Sequence, residues 1–415
     1  MLKPIRFLIV CVLMAGCATT VESRLDSVRA GYMTAPTSAT DLEDKNSLDL
    51  LITADTLFHY DDYAGADAAY EIFNRKNPGV QSGGDILREG VALTLGANAN
   101  DYRPYMMDSL FVSYYQLWAA LATGRDNDAR VIINQSYSRQ VDMSRAYQDL
   151  IESNQKSIGE NSEFVAELRN ENSKWMAYRD IMNPALMYLS GIYFLNAGEF
   201  GDAETYLRRA SGMMPNNSFI KKDLKLAESK TRPQNTVWVF IEDGFAPKLS
   251  ERRITLPFFV DNGFVPMTIA TTEPNFLPNF TTIDGAQKLA DVDAMFMTEY
   301  GEYKINESLR AVAATASRMA LQSAMYNSRS KDSSWLGLLS TVYSEFTNSA
   351  DVRTWATLPK TISVMRVANN KSGLIDLRDH GNLVERVHVP TSGNHLVYVR
   401  VGPNDTDIKV ITLKK

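Results

Sequence analysis

The sequence predicts an α-helical solenoid followed by an α+β domain, and three observations carry that expectation. A helix-pair pattern of small and large residues recurs three times between residues 46 and 230. At Thr236 the periodicity changes from helical spacing to a run rich in β-formers. The chain has 415 residues, more than one hydrophobic core usually serves, and its 45% apolar and 22% charged content is that of a folded protein.

The clearest copy is PALMYLSGIYFLNAGEFGDAETYLRRASGMMP, from Pro184 to Pro215. Gly191, Gly198, Ala203 and Ala210 alternate there with the large Phe194 and Leu207, and Pro215 closes the stretch. That order resembles the tetratricopeptide (TPR) repeat, where small residues sit at the contact of two antiparallel helices and proline ends the second. A looser copy runs from Ser47 to Pro78, with Ala54, Leu57, Tyr63, Ala66, Tyr70 and Pro78 in place and Phe73 where a small residue is usual. A third begins near Leu110 and carries Gly124, Ala129 and Ile133. These starts are spaced more widely and less evenly than the roughly 34 residues of a regular array, so extra helices are expected at Ile86 to Ala97 and Met143 to Asp180, the latter broken at Ser157 to Ser162.

In TPR folds, fixed rows of first-helix positions line a concave groove. Here those rows select Phe58, then Phe111, Tyr114, Trp118 and Leu121, then Tyr188, Ile192 and Leu195. The groove is expected to be apolar and aromatic and to bind protein partners, without the Lys and Asn set that clamps a peptide carboxylate. Monomers seldom leave so large an apolar surface bare, so covering by intervening helices or by the C-terminal domain is the competing expectation.

The chain starts as a secretion signal. Lys3 and Arg6 precede the apolar Phe7 to Leu13, and Leu13-Met14-Ala15-Gly16-Cys17 resembles a bacterial lipobox. Residues 1–16 are therefore expected to be cleaved, Cys17 lipidated, and 17–45 to form a polar tether. The apolar run is far shorter than the roughly 20 residues that span a bilayer. Processing would remove Cys11 and consume Cys17, the only two cysteines, which excludes disulfides and cysteine metal sites. A net charge of -6, more acidic once Lys3 and Arg6 leave, argues against a nucleic-acid partner. Ala18 follows the cysteine in place of the Asp that resembles an inner-membrane retention signal, so the expected site is the outer membrane, facing the periplasm.

The helical domain is expected over 46–230, with the lysines Lys221, Lys222, Lys225 and Lys230 on a solvated face and Thr231 to Asn235 as linker. The α+β domain follows over 236–415. TVWVFIED, RRITLPFF and FVPMTIAT read as strands, the last two around Asp261-Asn262-Gly263 with Pro257 and Pro266 favouring edges. Leu289 to Met325 reads as helical, as does Trp335 to Phe346, which is too short to cross a membrane and is expected to pack on the sheet. TISVMRVA, LVERVHVP, HLVYVRVG and IKVITL are the closing strands.

Catalytic signatures are sparse. The chain has no Gly-rich phosphate loop, no HExxH and no G-x-S-x-G elbow. Of the four histidines, His388 and His395 flank the turn PTSGN, but no carboxylate sits at a metal-ligand spacing, so neither metal nor cofactor is expected. In ADVRTWATLP, Asp351, Arg353 and Trp355 alternate at a helix-to-strand junction. They form either a small binding site or a structural ion pair beside a stacked ring.

The order of lipobox, YRPYMMDSLFVSYYQLWAALATG, DARVIIN, NPALMYLSGIYFL, VFIEDGFAPK, ITLP and ADVRTWATLP is similar to that of an uncharacterised family of proteobacterial outer-membrane lipoproteins carrying TPR repeats. The resemblance implies an envelope role near small lipoproteins that resemble penicillin-binding-protein activators, and it brings no catalytic residues. The expected function is thus a non-enzymatic, lipid-anchored, periplasm-facing scaffold or adaptor of an envelope complex. The alternative is an envelope enzyme, or a direct activator of one, acting on peptidoglycan or exported polysaccharide.

Overall fold

Helix formation in the first half follows from the caps its sequence supplies. The computed structural model describes residues 29, 41–78, 102–157, 182–260, 263–304 and 352–414. After a short 3-10 turn at Leu42–Asp44 come helices α1 (Ser47–His59), α2 (Tyr63–Lys76), α3 (Met106–Ala122), α4 (Asp126–Ser157), α5 (Pro184–Ala197), α6 (Phe200–Met213) and α7 (Ser218–Glu228). Asn46, Asp62, Asn183 and Asn217 accept bonds from first-turn N–H groups of α1, α2, α5 and α7, satisfying donors that a helix start leaves open.

Consecutive helices pack as α1 on α2, α3 on α4, and α5 on α6, with α7 against α6. The α5–α6 turn has Gly198 at φ 80°, a left-handed conformation that suits glycine. Gly191 lets α5 and α6 approach closely: a Cβ there would lie 2.6 Å from Leu207 Cγ. The segment expected as a separate helix from Met143 is, up to Ser157, the continuation of α4. The helices expected at Ile86 to Ala97 and Trp335 to Phe346 lie outside the described residues.

In the second half, β1 (Thr236–Asp243), β4 (Gln287–Asp291), β5 (Thr361–Ala368), β8 (Asn394–Val401) and β9 (Thr406–Leu413) form one sheet in the order β4-β5-β1-β8-β9. The β1–β8 pair is parallel and the others antiparallel. Two hairpins stand apart from this sheet, β2 (Lys248–Val260) with β3 (Gly263–Asn275) and β6 (Leu374–Asp379) with β7 (Asn382–His388). Leu289 and Ala290, expected in a helix, are buried in β4, and helix begins only at 292 and is described to 304. A short apolar run reads equally as buried strand or helix, which accounts for the difference.

Because β1 and β8 are central and parallel, both of their faces are buried. One face, through Trp238, Phe240, Leu396 and Tyr398, joins a core that includes Phe58, Trp118, Tyr188 and Leu207 from the helices. The other, through Val237, Val239, Ile241, Val397, Val399 and Val401, meets Ile375, Leu377 and Val387 of the β6–β7 hairpin. The molecule is therefore layered as helices, sheet and hairpin. Secondary structure switches between Glu228 and Thr236, yet the hydrophobic core runs across that switch.

Candidate functional site

The eight residues expected to line a partner groove are all buried in the core shared by helices and sheet. The Trp118 ring lies 5.3 Å from those of both Phe240 and Tyr398, Phe58 lies 5.4 Å from Tyr398, and Tyr188 lies 5.8 Å from Phe240. Phe111 and Tyr114 pack edge to face at 6.0 Å, while Leu121, Ile192 and Leu195 complete the same cluster. Their role as a docking surface for another protein is corrected accordingly: the sheet of the same chain occupies that apolar face, which removes its cost of exposure to water.

Polar groups are sealed inside this interface. Glu242, at the end of β1, accepts hydrogen bonds from the Tyr398 hydroxyl at 2.8 Å and the Tyr115 hydroxyl at 3.0 Å. Burial holds its pKa up against the pull of Arg400, Tyr398, His59 and Tyr115. Arg400, on the same face of β8, donates to the Gly244 and Thr357 carbonyls at 2.8 and 3.0 Å. Asp223 of α7 accepts from Tyr188 Oη at 2.7 Å, Trp238 Nε1 at 2.7 Å and Arg366 Nε at 2.8 Å, so one carboxylate joins α5, α7, β1 and β5. At the opposite end of the helical layer, His59 Nδ1 lies 2.8 Å from Asp407 of β9 and Nε2 3.4 Å from Asp55. Burial opposes its charged form, but Asp407 and Asp55 outweigh that and raise its pKa.

The stretch that carries Arg353 and Trp355 runs into a seam with the end of β1. Ala246 N donates to Leu358 O at 2.8 Å and Lys360 N to Asp243 O at 3.0 Å, bringing together the EDGFAPK and RTWATLP stretches. Arg29, from the N-terminal segment, bridges them by donating to Ala356 O at 2.9 Å and Ala246 O at 2.6 Å. Arg29 and Arg400 both lie over the Phe245 ring, at 5.2 and 5.4 Å. Trp355 is buried beside Tyr115 and Tyr70, and its Nε1 donates to Thr357 Oγ1 at 3.0 Å. Arg353 is half-buried, and Asp351 lies outside the described residues. Trp355 thus belongs to the interlayer packing.

A third cluster caps α3. Glu299, on the helix beginning at 292, accepts from Met106 N at 2.6 Å and Met107 N at 3.1 Å, while Asp108 accepts from Tyr105 N at 2.9 Å and Tyr102 Oη at 2.7 Å. Burial pushes Glu299 up to about 8, against the two backbone donors and with help from Asp108. Burial likewise pushes Asp108 up to about 7.

A cleft of about 250 Å³ opens at the rim between the α3–α4 and α5–α6 turns and the end of β9, lined by Leu121, Gly124, Arg130, Tyr193, Glu199 and Lys414 among others. Arg130 and Glu199 form a two-point ion pair there, with the guanidinium over Tyr193 and Phe194. His388 and His395 do not meet: His388 ends β7, whereas His395, buried in β8, contacts Thr412 Oγ1 and Ser392 O. Among the described residues there is no group of three or more potential metal ligands, and no helix is long and apolar enough to cross a membrane.

Comparison with protein-family models, curated proteins and solved structures finds no match. The sequence reading missed Glu242, Asp223, Arg366, Arg400 and Arg29. A charge inside an otherwise apolar strand, as in VWVFIED and HLVYVRV, was the available signal for Glu242 and Arg400. Asp223 was hidden among Lys221, Lys222 and Lys225 of α7, which are exposed as expected, as is Lys230 beyond the helix end.

Proposed function

We propose that this chain is a lipid-anchored scaffold or adaptor of an envelope complex, held at the outer membrane through Cys17 and facing the periplasm, with a TPR-like helical array as one of its layers. The lipobox supports the anchor, and the close approach of α5 and α6 at Gly191 supports the TPR-like reading. The observation that carries the scaffold reading is the filled helix–sheet interface. There Tyr115, Tyr398, Tyr188, Trp238 and Arg366 meet carboxylates of the chain itself. A body locked in this way presents fixed outer surfaces, and anchoring raises the local concentration of what it holds. Contact with envelope proteins, other small lipoproteins among them, then falls to those outer surfaces instead of the aromatic groove.

Two measurements test this. Cells fed a fatty-acid analogue should label the wild-type chain and leave Cys17→Ser unlabelled; absence of label on the wild type, with a known lipoprotein labelled, defeats the anchor. Crosslinking with mass spectrometry on native membranes should join outer residues, such as Lys221 and Lys222 on α7, to a reproducible envelope protein. Recovery of intramolecular links alone defeats the scaffold.

A further inference from the structure

We propose that the outer edge of β9 pairs with the same edge of a second copy of this chain, joining the two central sheets into one across a twofold axis at Val410. β9 is the last strand in the order β4-β5-β1-β8-β9, so only its β8 side is paired among the described residues. The β8–β9 turn determines which groups point outward. Gly402 N donates to Asp405 O at 2.9 Å, so that pair is hydrogen-bonded, and along β9 the hydrogen-bonded positions recur at Asp407, Lys409, Ile411 and Leu413. The backbone groups of Thr406, Ile408, Val410 and Thr412 therefore face away from β8. Asp405 Oδ1 accepts from Thr406 N at 2.8 Å, as that direction requires. The backbone N–H and C=O groups of Ile408, Val410 and Thr412 have no partner among the described residues.

The two edges of the sheet are finished differently. β4 has five residues, and its pairing with β5 shifts between Lys288 and Ala290. The start of α7 is fastened to it, with Asn217 Nδ2 donating to Lys288 O at 3.0 Å and Ser218 N to Gln287 Oε1 at 2.7 Å. Short length, a bulge and a fastened helix each keep a further strand from adding. β9 instead has eight residues in unbroken register with β8, no proline, and Val410 38% exposed. A charge on an edge strand also deters pairing, but Lys409 is buried on the helix side, held by Asp61 and Asp407 and lying over the Phe58 and Tyr63 rings. Its charge is met within its own chain.

The pattern on this edge matches itself. In a twofold antiparallel pairing, outward residues of one copy lie opposite outward residues of the other. With Val410 opposite its own equivalent, Ile408 lies opposite Thr412 of the other copy, and Thr412 opposite Ile408. All three open residues of each copy are then used, for about six hydrogen bonds between copies. Val410 is covered by its equivalent on the face that carries Ile408, and on the helix face Lys409 lies opposite Ile411. The neighbouring registers are worse. A shift toward the turn sets Lys409 opposite itself, and like charges directly across a strand pair repel. It also needs the Thr406 N–H that Asp405 already holds. A shift the other way sets Ile408 against Lys414, past the end of β9. One register of a second copy thus satisfies every open group with no like charges opposed.

The test is analytical sedimentation of the full chain carrying Cys17→Ser, so that no acyl chain contributes to association. A dimer is expected. Val410→Pro removes an N–H that does not serve the β8 ladder, from both copies at once, and should raise the dimer dissociation constant by about tenfold or more. Val410→Lys leaves the backbone intact and opposes two like charges at the axis, with the same expected loss. It replaces the proline variant should thermal melting and circular dichroism show that one unfolded. Val131→Lys, at a valine 52% exposed on α4, should dimerise as the parent does. With Cys11→Ser added, Val410→Cys should yield a disulfide-linked dimer on mild oxidation, because Cα atoms of a hydrogen-bonded pair lie about 5.5 Å apart. A parent that stays monomeric at high concentration, or a dimer indifferent to Val410, overturns the proposal. So does a monomer whose Lys414 crosslinks to another protein in native membranes, because the edge then belongs to a foreign strand. The dimer does not depend on the anchor: failure of Cys17 to label leaves it standing, and a monomeric parent leaves the anchor standing.

Discussion

The two faces of the central sheet are built from the same strands and behave differently. On β1, Trp238, Phe240 and Glu242 turn to the helices, while Val237, Val239 and Ile241 turn to the β6–β7 hairpin. On β8 the division repeats, with Leu396, Tyr398 and Arg400 against Val397, Val399 and Val401. The hairpin side is a layer of β-branched residues whose contribution scales with area removed from water. The helix side adds hydrogen bonds whose partners come from distant parts of the chain, and these are satisfied in one docking arrangement only. Aliphatic packing holds the third layer on; the polar network fixes where the first layer sits.

Asp223→Ala should have the largest effect. It leaves the Arg366 guanidinium, the Tyr188 hydroxyl and the Trp238 indole N–H buried without their shared acceptor. A loss of about 3–5 kcal/mol is expected from breaking a buried ion pair, read as a lower denaturation midpoint in urea. Trp118→Ala should cost a similar amount, about 3–5 kcal/mol, because the ring fills the space between Phe240 and Tyr398. On the aliphatic face Val239→Ala should cost less, roughly 1.5–2.5 kcal/mol, since it removes methyl groups and leaves no polar atom stranded. Equal losses from Asp223→Ala and Val239→Ala would remove the distinction between the faces.

How much of this was legible follows from the same distinction. Near-continuous runs of β-branched and aromatic residues in TVWVFIED and HLVYVRVG identified β1 and β8, since a strand buried on both faces carries apolar side chains at successive positions. Small residues such as Gly191 and Ala203 identified α5 and α6, because helix contact excludes larger side chains locally. The groove residues were recognised as apolar and aromatic, but what covers Trp118 is Phe240 and Tyr398, more than a hundred residues away, and no local pattern encodes that pairing. His59 lay in view as one of four histidines; its partner Asp407 is 348 positions further on. Strand β6 was missed because its LIDLRD run is short and charged, and only Ile375 and Leu377 mark its inward face.

Stability should also depend on pH through groups confined to the helix side. Glu299 and Asp108 have pKa values of about 8 and 7 in the folded chain, above ordinary carboxylate values, so the folded state holds more protons than the unfolded state between roughly pH 4 and 8. Their contribution is present in full below about pH 4 and declines as pH rises through 7 and 8. The raised His59 acts in the same direction: its contribution is present below about 6.5 and is lost as pH rises through the folded value. Urea midpoints measured from pH 5 to 8.5 should fall, and Glu299→Gln should flatten the fall at its alkaline end. A midpoint that rises over this range contradicts the assigned protonation.

The smallest effect is expected where the same ion-pair chemistry sits in water. Arg130 and Glu199 face each other at two points, as Arg366 and Asp223 face each other at one, but the rim pair is 40% and 36% exposed while the interior pair is 7% and 0%. Water already solvates both rim charges, so removing one strands nothing. Arg130→Ala should therefore cost about 1 kcal/mol or less, most of it from lost stacking over Tyr193 and Phe194. The residual cost should change little between low and high salt if stacking is its source, and shrink with salt if the charge pair is. A loss approaching that of Asp223→Ala would mean that the cleft at Leu121 and Lys414 is as desolvated as the interface beneath the sheet.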